Sequence, residues 1–176
     1  MNIFVLSLNP YVCSLYHCDK HVVKMILEYA QILCTVHRLL DGECVVVVSG
    51  GGRRLKRWVL DGDLEGVLYK STHVNHPCVK WVLESSGNYE WLYELFCNLL
   101  EEYRIRYGRV HKSDGLRGVL GRVPGGMVVG GRTEFALAMP DEYKMEGDVV
   151  GSYRLFYKYS KVRFAVWKGG EVPWWM

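Results

Sequence analysis

Between His21 and Thr35, every polar side chain apart from the thiol of Cys34 falls at position 21, 24, 28, 31 or 35. These residues are His21, Lys24, Glu28, Gln31 and Thr35, and His17 stands one turn upstream. At about 100° per residue the six positions occupy roughly 80° of helix circumference. The intervening residues (Val22, Val23, Met25, Ile26, Leu27, Tyr29, Ala30, Ile32, Leu33) are apolar. An ordinary surface helix has a broad polar face and an apolar stripe of ~100° or more. Here the proportions are inverted: most of the cylinder demands burial, and a narrow file carries a base, an amine, a carboxylate and an amide. Such a file suits one wall of a reaction cleft. It is also the pattern of a central helix with a thin solvent-facing strip.

A chain of 176 residues, 49% hydrophobic and 13% aromatic, is long and apolar enough to bury one substantial core, so a single domain over 1–176 is expected. The net charge of +3 permits a nucleic-acid partner without demanding one. Six cysteines at 13, 18, 34, 44, 78 and 97 form no CxxC pair and no zinc-finger spacing. Cys18, Cys34, Cys78 and Cys97 sit among apolar neighbours, as small core hydrophobes do. The opening MNIFVLSLNP lacks the basic region of a signal peptide, and no stretch approaches the ~20 apolar residues of a membrane span. The expectation is a soluble, reduced, intracellular protein with no membrane partner.

The pattern along the chain is mainly helical. Residues 2–8 read as an extended, buried segment, and Asn9-Pro10 as a turn. A long helix from about Leu15 or Asp19 to Leu40 ends at Asp41-Gly42. Residues 43–60 change character: a valine-rich run, the turn Ser49-Gly50-Gly51-Gly52, then a return arm with Arg53, Arg54, Lys56 and Arg57. This predicts a small β-hairpin with a positive patch, which either contacts a phosphate backbone or is simply solvated. Pro77 fits the first turn of another helix, Ser85-Ser86-Gly87 breaks it, and Trp91 to Tyr103 continue at 3–4 spacing towards Gly108. The glycine-rich stretch 108–147 predicts loops with a short helical turn at 116–120. Asp148 is placed to cap a last helix.

Three constellations could carry chemistry. In the first, His17, Asp19, His21, Lys24 and Glu28 share the long helix, with Glu28 about 10 Å along the axis from His21. A carboxylate on so apolar a helix either has a raised pKa or pairs with Lys24. Either state suits proton transfer or stabilisation of a developing sugar cation. In the second, His17 and His21 at i, i+4 with His73 and His76 could bind zinc. In the third, basic residues interleave with aromatics from Tyr153 to Lys168, including Lys158, Lys161 and Arg163, a composition suited to phosphates and unpaired bases but also to an amphipathic helix.

These residues resemble a family. Asp19-Lys20-His21 with Glu28 seven positions on is similar to the first long helix of the phage pyrimidine-dimer DNA glycosylases, where a glutamate is the catalytic carboxylate. His73-Val74-Asn75-His76-Pro77 resembles the N-H-P element that opens their second helix in bacterial relatives. Tyr157-Lys158-Tyr159 after Phe156 resembles an aromatic-basic segment near their C-terminus. Over most of its length the chain resembles a set of phage and large-DNA-virus proteins associated with thymine hypermodification. The shared stretches are Tyr16–Glu28, Thr72–Cys78, Asn88–Leu95 and Ala138–Lys144. The resemblance implies a compact, mainly α fold, a double-stranded DNA substrate and a flipped-nucleotide mechanism. It also implies an infected host cell as the setting, or the virion.

Two departures matter. The family attacks the sugar with the amine of a small second residue, exposed by loss of the initiator Met; here residue 2 is Asn, whose bulk disfavours that processing. Leu27 and Gln31 stand where the family has arginines beside its glutamate. Lys24 is the alternative amine, provided burial lowers its pKa.

The leading expectation is therefore a viral DNA N-glycosylase-like enzyme without a cofactor, acting on a damaged or modified pyrimidine and capable of a lyase step at an abasic site. Glu28 is the central carboxylate, aided by His21, Lys24, His73, Asn75 and His76. Arg53, Arg54, Arg57, Lys158, Lys161 and Arg163 hold phosphates. A non-catalytic DNA-binding or genome-packaging protein on the same fold is the second possibility, and a zinc enzyme the third. All rest on one geometric expectation: the polar file meets the Asn-His-Pro corner across a shared cavity.

Overall fold

A helix that is apolar around most of its circumference must be surrounded, and the surroundings of 19–41 organise the molecule. The computed structural model describes residues 1–176. Its longest helices are α2 (Asp19–Asp41) and α5 (Ser86–Tyr107), packed on each other. The shorter α1 (Pro10–Tyr16) packs on α5, and α4 (Pro77–Leu83) packs on both long helices. One cluster of 36 buried residues joins them, reaching from Ile3 in the N-terminal segment to Trp167 near the other end. At roughly 1.5–3 kcal/mol for each large apolar side chain removed from water, burial of this kind dominates the favourable side of folding.

The fold is mainly α with a single two-stranded antiparallel hairpin, β1 (Glu43–Val48) and β2 (Arg54–Val59), in the register Val46↔Lys56 and Val48↔Arg54. A short α3 (Leu64–Val67) follows the hairpin. Beyond α5 the chain makes a 3-10 turn at Lys112–Leu116, α6 (Arg117–Leu120), an extended stretch, and α7 (Val149–Ser160). No helix is long and apolar enough to cross a membrane.

Local chemistry explains most boundaries. Asn9-Pro10 is a helix start: the Asn9 carboxamide oxygen accepts from Val12 N–H at 3.0 Å, and Pro10 takes the first turn where no donor is needed. Of the two expected entries to the long helix, Asp19 is the one adopted and Leu15 falls in the separate α1, with His17 and Cys18 in extended backbone between them. Asp148 caps α7 as expected, accepting from Gly151 N–H at 2.7 Å. Gly42 ends α2 for reasons of space: a Cβ there would lie 2.5 Å from the Arg38 carbonyl oxygen and 3.0 Å from that of Val59. The first N–H groups of α5 donate to the carbonyls of Val128 and Gly130, so the glycine-rich stretch closes a helix end that would otherwise be unpaired.

Four of the cysteines (13, 18, 34, 78) are buried, Cys97 is partly buried and Cys44 is exposed, all as free thiols. Arg38, which drew no attention as sequence, is fully buried. Its guanidinium donates to the carbonyls of Trp58, Glu65, Leu68 and Tyr69 and to the Glu65 carboxylate. That single side chain roots the hairpin and the segment after it onto α2.

Candidate active site

The polar file of α2 does not face one way. His17 lies off the helix and is fully buried. Its Nδ1 donates to the Cys13 carbonyl at 2.8 Å, which leaves Nε2 to accept from the Tyr29 hydroxyl at 3.0 Å. Tyr29 in turn accepts from Phe4 N–H at 3.3 Å. Asp19 is engaged by Arg106 at 3.3 Å and by Lys168 N–H at 2.9 Å. Both residues therefore leave the expected chemical constellation and serve the core. Thr35 is buried and bonds to the Gln31 carbonyl and to Thr72. The open sector of α2 is wider than the file, roughly 140°, and includes the apolar Val23 and Leu27 as well as Lys24.

Glu28 stands where the N-terminal segment crosses this sector, its side chain 12% exposed. Oε2 accepts from Asn2 N–H at 3.1 Å and lies 3.6 Å from the α-amine of Met1. Oε1 lies 3.1 Å from Lys24 Nζ. Pairing, one of the two states open to this carboxylate from its sequence, is the one adopted. Lys24 itself is 68% exposed, so the burial on which its part as the alternative amine depended is absent. The Asn2 side chain is bound into the fold, Nδ2 donating to the Ala138 carbonyl at 2.8 Å and Oδ1 accepting from Ile3 N–H at 2.8 Å and the Tyr153 hydroxyl at 3.3 Å. Residue 2 thus fixes the start of the chain against the carboxylate.

A cavity of about 460 Å³ opens beside Glu28. Its apolar walls are Phe4, Met25, Phe156 and Phe164, and its cations are Lys20, Lys24, Lys161 and Arg163. His21 lines it as well, stacked on Phe4 at 4.6 Å with Tyr157 and Phe164 edge-on at 5.0 and 5.5 Å. Burial, then His17, Lys161 and Lys24, push the imidazole down to about 3, so it is neutral at physiological pH. Its Nδ1 is buried without a hydrogen-bond partner. Lys161 spreads over Phe156 at 4.5 Å and Phe4 at 5.9 Å, and burial beside Lys24 and Arg163 lowers its pKa. Lys20 covers Phe164 at 5.2 Å.

The Asn-His-Pro corner does not wall this cavity, contrary to expectation. Its place is taken by 156–164, because the N-terminal segment runs between Glu28 and the start of α4. His76 caps α4, accepting from Cys78 N–H at 3.2 Å. Burial, the α-amine and His73 lower its pKa while Glu28 opposes them. His73 is exposed, held at φ 49° with Nδ1 2.7 Å from the Thr72 hydroxyl, and Asn75 is exposed. Lys158 is exposed on α7, outside the lining. Arg53, Arg54 and Arg57 lie on the hairpin, past the far end of α2.

No three His, Cys, Asp or Glu side chains converge as a metal set would require. The zinc arrangement fails in particular at His17, whose two ring nitrogens are already hydrogen-bonded within the core.

The residues overlooked in the sequence are Phe4 and Phe156, whereas Phe164 belongs to the aromatic-basic stretch already singled out. The first two read there as ordinary core, and only the convergence of all three from both ends of the chain makes a pocket.

A family model described as "Pyrimidine dimer DNA glycosylase" matches residues 1–114. The matched part carries Glu28, His21, Lys24 and the hairpin, while the 156–164 wall lies beyond it. Neither a curated protein nor a solved structure matches the chain.

Proposed function

The chain belongs to the pyrimidine dimer DNA glycosylase family, and from that premise we propose that it cleaves the N-glycosidic bond of a damaged or modified pyrimidine nucleotide extruded from duplex DNA into the cavity beside Glu28. The observation that carries this is the meeting of the Glu28 carboxylate with the start of the chain at the edge of an aromatic-walled cavity. A volume of about 460 Å³ suits a single nucleoside. Phenyl faces stack on a base once it leaves the helix, and a neutral His21 offers a hydrogen bond to its polar edge. Lys20, Lys24, Lys161 and Arg163 suit the flanking phosphates.

Glu28 carries the chemistry. As the bond from C1′ to the base lengthens, positive charge grows on the sugar, and a preorganised carboxylate in a half-buried site stabilises it. The nearest amines are the α-amine of Met1 and Lys24 Nζ. Loss of Met1 would turn the Asn2 nitrogen, 3.1 Å from Glu28 Oε2, into the free amine. Attack of an unprotonated α-amine on C1′ forms an N–C1′ bond as the base departs with its bonding electron pair and takes up a proton. Ring opening then yields an imine, from which elimination breaks the C3′–O bond and nicks the strand.

The test uses ultraviolet-irradiated duplex treated with the full chain and borohydride, followed by mass spectrometry of any adduct. The reading predicts scission of one of the two glycosidic bonds of a pyrimidine dimer, whose detached base stays tethered through its neighbour, and a reduced adduct on the N-terminal residue. An alkali-labile abasic site formed without any adduct leaves a hydrolytic glycosylase and removes the lyase step. Tight duplex binding with no product at all overturns the enzymatic reading in favour of a non-catalytic DNA-binding protein.

A further inference from the structure

The β1–β2 hairpin has features that the cavity does not use. Its root is rigid, because buried Arg38 ties Trp58 and the 65–69 backbone to α2. Its arm is free: Val46 and Val48 are 53% and 66% exposed, and neither strand pairs along its outer edge. Open, valine-rich edges are a liability that natural proteins cover. The return arm carries Arg53, Arg54, Lys56 and Arg57, all exposed and none in an ion pair, although acidic residues elsewhere in the chain are paired repeatedly. That charge calls for a polyanion.

The register sets the geometry. Arg54 and Lys56, opposite Val48 and Val46, share one face of the ribbon, and Arg57, opposite Val45, lies on the other. Cations on both faces with valines along the opposite strand suit a ribbon standing edge-on in a groove. The cations reach the phosphate backbones on either side, and the valines meet base edges and thymine methyl groups at the floor. A two-stranded ribbon fits the major groove, which is about 12 Å wide. The root lies about 20 Å along α2 from Glu28, and strands of this length extend about 20 Å further.

We propose that the β1–β2 hairpin is a second DNA-contact element, a major-groove ribbon that grips duplex at a distance from the nucleotide held beside Glu28. This rests on the reading above that duplex DNA is the substrate, and the experiment separates the two. Binding of the full chain to an undamaged duplex is followed by fluorescence anisotropy across a salt series. The wild type is compared with a variant carrying Arg53→Gln, Arg54→Gln, Lys56→Gln and Arg57→Gln, with circular dichroism to verify the fold. Each phosphate contact contributes about 0.9 to the slope of log K against log salt, so the variant's slope is expected to fall by about 2 to 4. A Val46→Asn, Val48→Asn variant keeps the wild-type slope while losing the apolar contact to thymine methyl groups, read as a lowered affinity for thymine-rich relative to thymine-poor duplex.

Equal slopes and affinities in wild type and quadruple variant overturn the ribbon and leave the cavity reading intact. A wild type without affinity for any duplex overturns both. Binding to phosphatidylserine vesicles in place of duplex overturns the ribbon in favour of a membrane surface.

Discussion

The histidines at 17 and 21 occupy neighbouring turns, yet one belongs to the core and the other to a cavity wall. Their spacing in the sequence gives no means of separating them, because it records a shared helical face and not the gap at Cys18 that takes His17 off that helix. Burial dominates the titration of both, carrying His17 down to about 4 and His21 down to about 3 from an ordinary 6.5. His37 is shifted the same way by burial, with Asp41 opposing. The unfolded chain therefore binds more protons than the folded one below pH 6.5, and stability is expected to fall as the pH drops. The loss amounts to about 2 kcal/mol for each of His17 and His21 by about pH 5 and levels off once the folded-state rings protonate. Urea melts at neutral and mildly acidic pH check this, and His17→Gln should weaken the dependence. Equal stability at both pH values would contradict the neutral, buried assignment.

At the scale of elements, the helices were legible wherever apolar residues kept a 3–4 spacing and caps stood at the ends, as in α2, α5 and α7. The hairpin was legible from its valines, its glycine turn and the change of composition. α1 was hidden because seven residues show too little periodicity, and Asn9-Pro10 signals a turn and a helix start equally well. Arg38 was hidden for a different reason. A basic residue in the last turn of a helix normally answers the helix dipole, and nothing local announces that carbonyls from 58 to 69 will converge on it. Glu65, its acidic partner, has its carboxyl held down to about 2 by Lys70 and Arg38. Replacing Arg38 by Met strips the partners from several buried carbonyls, a loss on the order of 3–5 kcal/mol. Limited proteolysis should then nick the turn at 49–53 well before the helical body. A variant that melts with the wild type and resists nicking would show that the hairpin is rooted by other contacts.

At the scale of the molecule, the site is assembled from segments that the sequence holds far apart. The start of the chain, the middle of α2 and the stretch 156–164 meet around one cavity. Glu28 could be found because it interrupts an apolar surface and stands at a familiar distance from Asp19-Lys20-His21. The meeting of Phe4 with Phe156 and Phe164 could not, since convergence across more than a hundred residues leaves no spacing to read. The same reasoning explains why the Asn-His-Pro corner was assigned to the wrong wall: its polar density marks a helix cap and an exposed turn as readily as a site. The central claim is that Glu28 stabilises the positive charge that grows on the sugar as its base departs. It is tested most directly by single-turnover formation of alkali-labile abasic sites in ultraviolet-irradiated duplex, with wild type and Glu28→Gln compared at matched fold and saturating protein. The account predicts a rate lowered about 10²–10³-fold in the variant with duplex affinity largely retained; abasic-site formation at the wild-type rate would contradict it.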